Sequence, residues 1–195
     1  MERLILARHG ESEYSARGLV NGDAAVAVGL TERGTEQARG LGRELADEEL
    51  DLCVTSELAR TRATAELALA GRGVPIESWP ELNDPRAGSF EGLPLDEYRQ
   101  WAWTAGSQEE APGGGESRLA AVSRYAGAFR RVLERPETVI LVVAHALPIA
   151  YVLSGEAPAP RMDLRIEYAY PYRLEAVELE RSLAVLEAWC AAPTW

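Results

Sequence analysis

Only two of the 195 residues are cysteine and only two are histidine. Cys53 and Cys190 stand far apart with no CxxC pair, so the sequence offers neither a disulfide framework nor a thiolate zinc site. Free thiols in a reducing compartment are the expectation, and the chain reads as cytoplasmic. Long apolar runs are also missing. Residues 4–7 are apolar but are stopped by Arg8, too short for a signal-peptide core. Residues 139–144 are far too few to span a bilayer. Cations are in deficit, with 20 Lys and Arg against 31 Asp and Glu and a net charge of −11. This argues against nucleic acid and anionic membrane as partners. An anionic small molecule would need a local cationic pocket set against that field. The length fits one domain, residues 1–195, and 47% hydrophobic with 26% charged residues suits a soluble chain with its own core.

What is present alternates. Residues 4–7 read as a buried parallel strand. Thr31 is placed to cap a helix whose one face carries Ala38, Leu41 and Leu45. Residues 50–54 read as a second strand, Ser56 as the N-cap of a helix over 57–70, and Gly71 and Gly73 as its end. Residues 74–79 read as a third strand, 80–94 as a loop and 95–104 as a short helix. Residues 106–115 hold four glycines, a proline and two adjacent glutamates, which predicts a mobile covering loop around 106–116. From Ser117, Leu119, Val122, Ala126, Phe129 and Leu133 form one helical stripe, stopped by Pro136. A strand over 139–144, a helix near Pro148, a strand over 172–177 and a helix over 179–189 complete the chain. The expectation is an α/β fold, a mainly parallel open sheet flanked by helices on both faces.

Both histidines, His9 and His145, come just after an apolar strand, where open α/β sheets bind ligands. Arg60 falls in the first turn after the second strand, and Asp84 follows the third. Arginine matches phosphate oxygens with a planar fork of donors, a helix start favours anions, and a neutral imidazole can attack phosphorus. Neither histidine lies in an HExxH pattern, and no carboxylate cluster has metal-ligand spacing.

Arg8-His9-Gly10-Glu11-Ser12 resembles the signature of the histidine phosphatase superfamily, the phosphoglycerate-mutase-like proteins. Further matches follow in order: Leu30-Thr31-Glu32-Arg33-Gly34 with Gln37-Ala38; Ser56 to Thr61 with Thr64-Ala65; Leu82-Asn83-Asp84 with Gly88 and Glu91-Gly92; Gly115-Glu116-Ser117 with Arg124; and Val142-Val143-Ala144-His145. They run from Arg3 to about Ala150. The resemblance implies a phosphatase that hydrolyses a phosphomonoester through a phosphohistidine on His9, without metal or cofactor. Arg8, Arg60 and His145 would bind the phosphoryl group, and Asp84 would be the proton donor. Asp84 stands where the family usually has Glu, Ala146 where it has Gly, and Ser15 where mutase-like members often have Asn. Glu81 and Glu116 are the alternative acids. Glu91 and Glu116 otherwise read as solvated or structural, and Trp101 and Trp103 as packing residues. Two other readings compete, mutase-type phosphoryl transfer and a binding module without turnover. The small-molecule substrate is to be distinguished by residues 82–115, which vary over the pocket.

Overall fold

The computed structural model describes every residue except Pro160, Met162, Asp163 and Trp195. The elements run β1 (Arg3–Arg8), α1 (Glu13–Ala16), α2 (Glu32–Glu44), β2 (Leu52–Thr55), α3 (Ala59–Ala68), β3 (Ile76–Ser78), α4 (Leu95–Thr104), α5 (Arg118–Leu133), β4 (Val139–Ala144), α6 (Ala146–Ser154), β5 (Tyr172–Glu175) and α7 (Ala176–Ala191). The strands form one sheet in the order β3-β2-β4-β1-β5. All neighbours are parallel except β5, which runs antiparallel to β1.

The two faces of the sheet follow from strand periodicity. Alternate side chains of a strand point to opposite sides. Leu4, Leu6, Leu52, Val54, Ile140 and Val142 therefore pack with Val122 and Phe129 of α5, Ile149 of α6 and Leu183 of α7. Ile5, Ala7, Cys53, Leu141 and Val143 pack with Leu41 of α2 and Ala65 and Ala68 of α3. β1 and β4 are buried on both faces, which is why their sequences are apolar without alternation. Each fully buried Leu or Val contributes about 1.5–3 kcal/mol, so this double burial fixes the register of β1 on β4.

Thr31 caps its helix as expected, its Oγ1 accepting from Gly34 N, and Ser117, at an expected helix start, caps α5 with its Oγ accepting from Ala120 N. The third start is a correction. α3 begins at Ala59 rather than 57, its N-cap is Leu58, and no side chain caps it. Ser56 is buried and turned toward the sheet edge instead. α4 buries no residue; it lies outside the core. Among the described residues, no helix is long and apolar enough to cross a membrane.

Candidate active site

The sheet register builds the site. Arg8 of β1 pairs with Ala144 of β4, so the next residues, His9 and His145, emerge side by side. Their ring centroids are 5.3 Å apart. Thr55 of β2 pairs with Val143 of β4, so Ser56 leaves the sheet beside His145. Ser56 Oγ lies 2.9 Å from His145 Nε2. The turn after β1 presses against the start of α2. A Cβ on Gly10 would collide with the Gly34 carbonyl, and one on Gly34 with the Glu11 carbonyl. Both positions therefore need glycine for close backbone approach. Gly10 N–H donates to Thr64 Oγ1 at 2.9 Å, and Glu11 N–H to Gln37 Oε1 at 2.8 Å. Those bonds tie the turn to α3 and α2.

His9 is 3% exposed. Its Nδ1 lies 2.7 Å from the Gly10 carbonyl, which can only accept, so Nδ1 carries the proton and Nε2 carries the lone pair. Arg60 Nε donates to that Nε2 at 3.1 Å. Burial, then Arg60 and Arg8, hold the His9 imidazole well below its ordinary pKa, and hence neutral. His145 is held low in the same way, by burial first and Arg60 next. Its Nδ1 accepts from Arg60 Nη2 at 3.1 Å and stands 3.2 Å from Asp84 Oδ2.

Arg60 is the hub. Besides the two imidazoles, its Nη1 donates to Asn21 Oδ1 at 2.5 Å, and its Nη2 to the Asn21 carbonyl at 3.0 Å and Asp84 Oδ2 at 2.7 Å. Arg8 lies 3.8 Å over the Tyr168 ring, and its Nη1 donates to the Ile166 carbonyl at 3.1 Å. Its Nε is buried and has no hydrogen-bond partner among the described residues. An anion's oxygen would satisfy that donor. Asp84 has a pKa raised by burial, against the opposing pull of Arg60 and Arg8. Its side chain is 28% exposed and lines the cavity.

The loop that carries Asp84 is clamped from behind. Arg124 Nη1 donates to the carbonyls of Glu81 at 2.6 Å and Asn83 at 2.9 Å, and Tyr125 Oη donates to the latter at 2.9 Å. Glu116, buried, pairs with Arg124 at 3.0 and 2.7 Å and accepts the Arg86 amide at 3.3 Å. Glu91 accepts from the Gly22 amide with both oxygens and from Asn21 Nδ2 at 3.2 Å. Glu91 and Glu116 are thus anchors. Glu81 lies outside the cavity wall, and Glu116 lines it with both oxygens occupied.

All five residues expected from the sequence, Arg8, His9, Arg60, Asp84 and His145, meet at the carboxyl edge of the sheet. Each has an atom within hydrogen-bonding distance of another of the five except Arg8, which lines the cavity together with His9, Arg60 and Asp84. Three further residues were not anticipated. Asn21 lies in the irregular segment between α1 and α2, Ser56 was read as a cap, and Tyr168 lies in the tail where no motif is legible. The reading of Trp101 and Trp103 as packing residues is half right. Trp101 packs against Phe90 and Tyr98 with centroids 5.7 Å away, but neither indole is buried and both line the cavity.

The cavity above these groups measures about 890 Å³. Residues 106–116 run along its rim, with Gly106 and Glu109 in the wall and Glu116 N–H donating to the Arg86 carbonyl at 2.8 Å. A neutral imidazole with an unprotonated Nε2, two guanidinium groups and a carboxyl of raised pKa can together accept and release a phosphoryl group. Among the described residues, no group of three or more His, Cys, Asp or Glu is placed to hold a metal ion.

Residues 4–191 match the histidine phosphatase superfamily (branch 1). The chain is 35% identical to a 2,3-bisphosphoglycerate-dependent phosphoglycerate mutase of Methylobacterium radiotolerans, over 96% of this chain and 97% of that one. It is 30% identical to an adenosylcobalamin/alpha-ribazole phosphatase of Salmonella typhimurium, over 99% and 98%. The solved alpha-ribazole phosphatase of Shigella flexneri superposes with a TM-score of 0.75 at 32% identity, covering 88% of this chain and 89% of that one.

Proposed function

The chain belongs to the histidine phosphatase superfamily, and from that premise we propose that it hydrolyses a phosphomonoester through a phosphohistidine on His9. The observation that carries this is the tautomer of His9. Its proton is committed to the Gly10 carbonyl, which leaves Nε2 as a nucleophile beside Arg60, His145 and Asp84.

In the first step, the Nε2 lone pair forms a P–N bond as the ester P–O bond breaks. The Asp84 proton goes to the leaving alkoxide. Arg8 and Arg60 donate to the equatorial oxygens, whose charge is shared in the transition state, and His145 joins them by taking a proton on Nδ1 once the phosphoryl group displaces the Arg60 contact. In the second step, water attacks phosphorus in line with the P–N bond. Its proton goes to the Asp84 carboxylate, the P–N electrons return to Nε2, and phosphate leaves. No step requires a metal, since the cations are side chains. Raising the Asp84 pKa by burial serves the first step, and the two arginines keep the carboxylate accessible for the second.

Mutase-type transfer is the second reading, favoured by the 35% identity to the Methylobacterium enzyme. The test is direct. Rapid alkaline quench after mixing with substrate should trap phosphate on His9, because a phosphoramidate survives base and not acid. His9→Ala should lose nearly all turnover while keeping its fold. Substantial turnover in clean His9→Ala would end the nucleophile assignment. With 3-phosphoglycerate, release of inorganic phosphate supports the phosphatase, and accumulation of an isomeric phosphoglycerate supports the mutase.

A further inference from the structure

The phosphoryl site occupies one end of the cavity, and the rest of the wall is of another kind. α4 has no core beneath it, yet it carries Tyr98, Trp101 and Trp103. All three line the cavity, together with Leu147 and Tyr151 of α6 and Leu164. Trp103 is 38% exposed and Leu164 45%. Large apolar side chains at such exposure stand out when they gather on one concave wall. Tyr98 and Asp84 line the same cavity, so the apolar wall and the acid share one space.

The cations beyond the phosphoryl site are all engaged. Arg99 faces Asp96 at 3.3 Å, Arg165 faces Glu167 at 3.2 Å, Arg118 donates to the carbonyls of Ala159 and Ala102, and Arg161 lies 4.3 Å over one face of the Trp103 ring. A second phosphate or a carboxylate on the substrate would compete with each of these and would meet Asp96 and Glu109 on the same wall. An uncharged flat ring would meet indole and phenol faces instead, where stacking adds to burial. A cavity of about 890 Å³ has room for such a group beside a phosphate.

From this wall we infer that the alcohol half of the substrate carries an uncharged aromatic ring system, seated between α4 and α6. This rests on the reading of the site as a phosphatase, but its test separates the two. The probes are 2-(naphthyl)ethyl phosphate, propyl phosphate and 3-phosphoglycerate, whose leaving alcohols are similar in chemistry and different in bulk and charge. Affinity is measured on His9→Ala, which cannot turn them over, by quenching of tryptophan fluorescence and by calorimetry. kcat/KM is measured on the unaltered chain.

The naphthyl ester should bind roughly 100-fold more tightly than propyl phosphate, as expected for burial of about 110 Å² of apolar surface. Trp103→Ala should cut the naphthyl-to-propyl ratio about tenfold. Trp103→Phe should restore most of it, which a merely structural role would not produce. Equal affinity for the two esters, or tightest binding of 3-phosphoglycerate, overturns the aromatic seat. Preserved naphthyl preference in binding without turnover of any ester keeps the seat and defeats the phosphatase reading.

Discussion

Acidification should destabilise this protein through its two histidines, and the size of the effect follows from their burial. His9 and His145 are 3% and 1% exposed, and burial with Arg60 beside both holds each imidazole well below its ordinary pKa. A group whose folded pKa is depressed contributes stability above its unfolded pKa and loses it as pH falls. The unfolded imidazole titrates near pH 6.5, so the loss begins there. At pH 5.5 an unfolded imidazole is about nine-tenths protonated, and each folded one that stays neutral costs about 1.4 kcal/mol. Two give a ceiling of about 3 kcal/mol between pH 7.5 and 5.5. Asp84 works the other way: its folded pKa is raised, so the folded state takes up a proton first and gains as pH falls. The net fall is therefore smaller than the ceiling, and Asp84→Asn should steepen it. The assay is urea unfolding at pH 7.5, 6.5 and 5.5, comparing midpoints at constant m. His9→Gln and His145→Gln should each remove about half of the histidine-dependent fall. No other histidine exists to confuse the reading. Unchanged pH dependence in both variants, or stability that rises on acidification in Asp84→Asn, would refute the argument.

Three further outcomes are expected. Asp84→Asn should lower kcat/KM for propyl phosphate by about 10²–10⁴, the usual value of general acid catalysis, and only mildly for p-nitrophenyl phosphate, whose leaving group barely needs a proton. Equal losses on both substrates would mean damage to the pocket. Arg60→Lys should retain a charge yet lose about 10²–10³ in rate, since an ammonium cannot reach both imidazoles, Asn21 and Asp84 at once; wild-type kinetics would reduce Arg60 to a helix ornament. Activity should survive exhaustive chelation, and activity lost to chelator and restored by magnesium or zinc would point to different chemistry.

The parts legible in the sequence are those set by short-range rules. Continuous apolar runs gave β1 and β4 their burial on both faces, Thr31 announced its helix by cap chemistry, and the stripe from Leu119 to Leu133 announced α5. The ends of the strands then placed His9, His145 and Arg60 on one edge. Ser56 misled because a serine before a helix is a cap by default, whereas here its hydroxyl is drawn into the buried contact with His145. Asn21 and Tyr168 were out of reach for a different reason. Each joins the site only through pairing of distant segments, Asn21 over 39 residues to Arg60, and Tyr168 through its bridge to Arg8. No local pattern encodes such contacts. α4 was placed to the residue, but its isolation from the core, and so the role of its indoles, depended on what packs beneath it.

The charges of the site explain how a single set of residues can hold opposite protonation states. In the proposed mechanism the nucleophile must be unprotonated, and burial, then Arg60 and Arg8, keep His9 so, while the arginines offer the donors that a phosphate needs. The same arginines oppose protonation of Asp84, which must carry a proton to act as the acid, and in the free site burial outweighs them. A bound phosphate dianion shifts that balance further. It adds negative charge beside Asp84 and neutralises part of the arginines' field, both of which favour the protonated carboxyl. It also competes with His9 Nε2 for the Arg60 Nε hydrogen bond and so frees the lone pair that bond engages. In the proposed mechanism, substrate binding thus prepares the acid and uncovers the nucleophile through one electrostatic event. An uncharged ligand of the same shape would do neither, however well it filled the cavity.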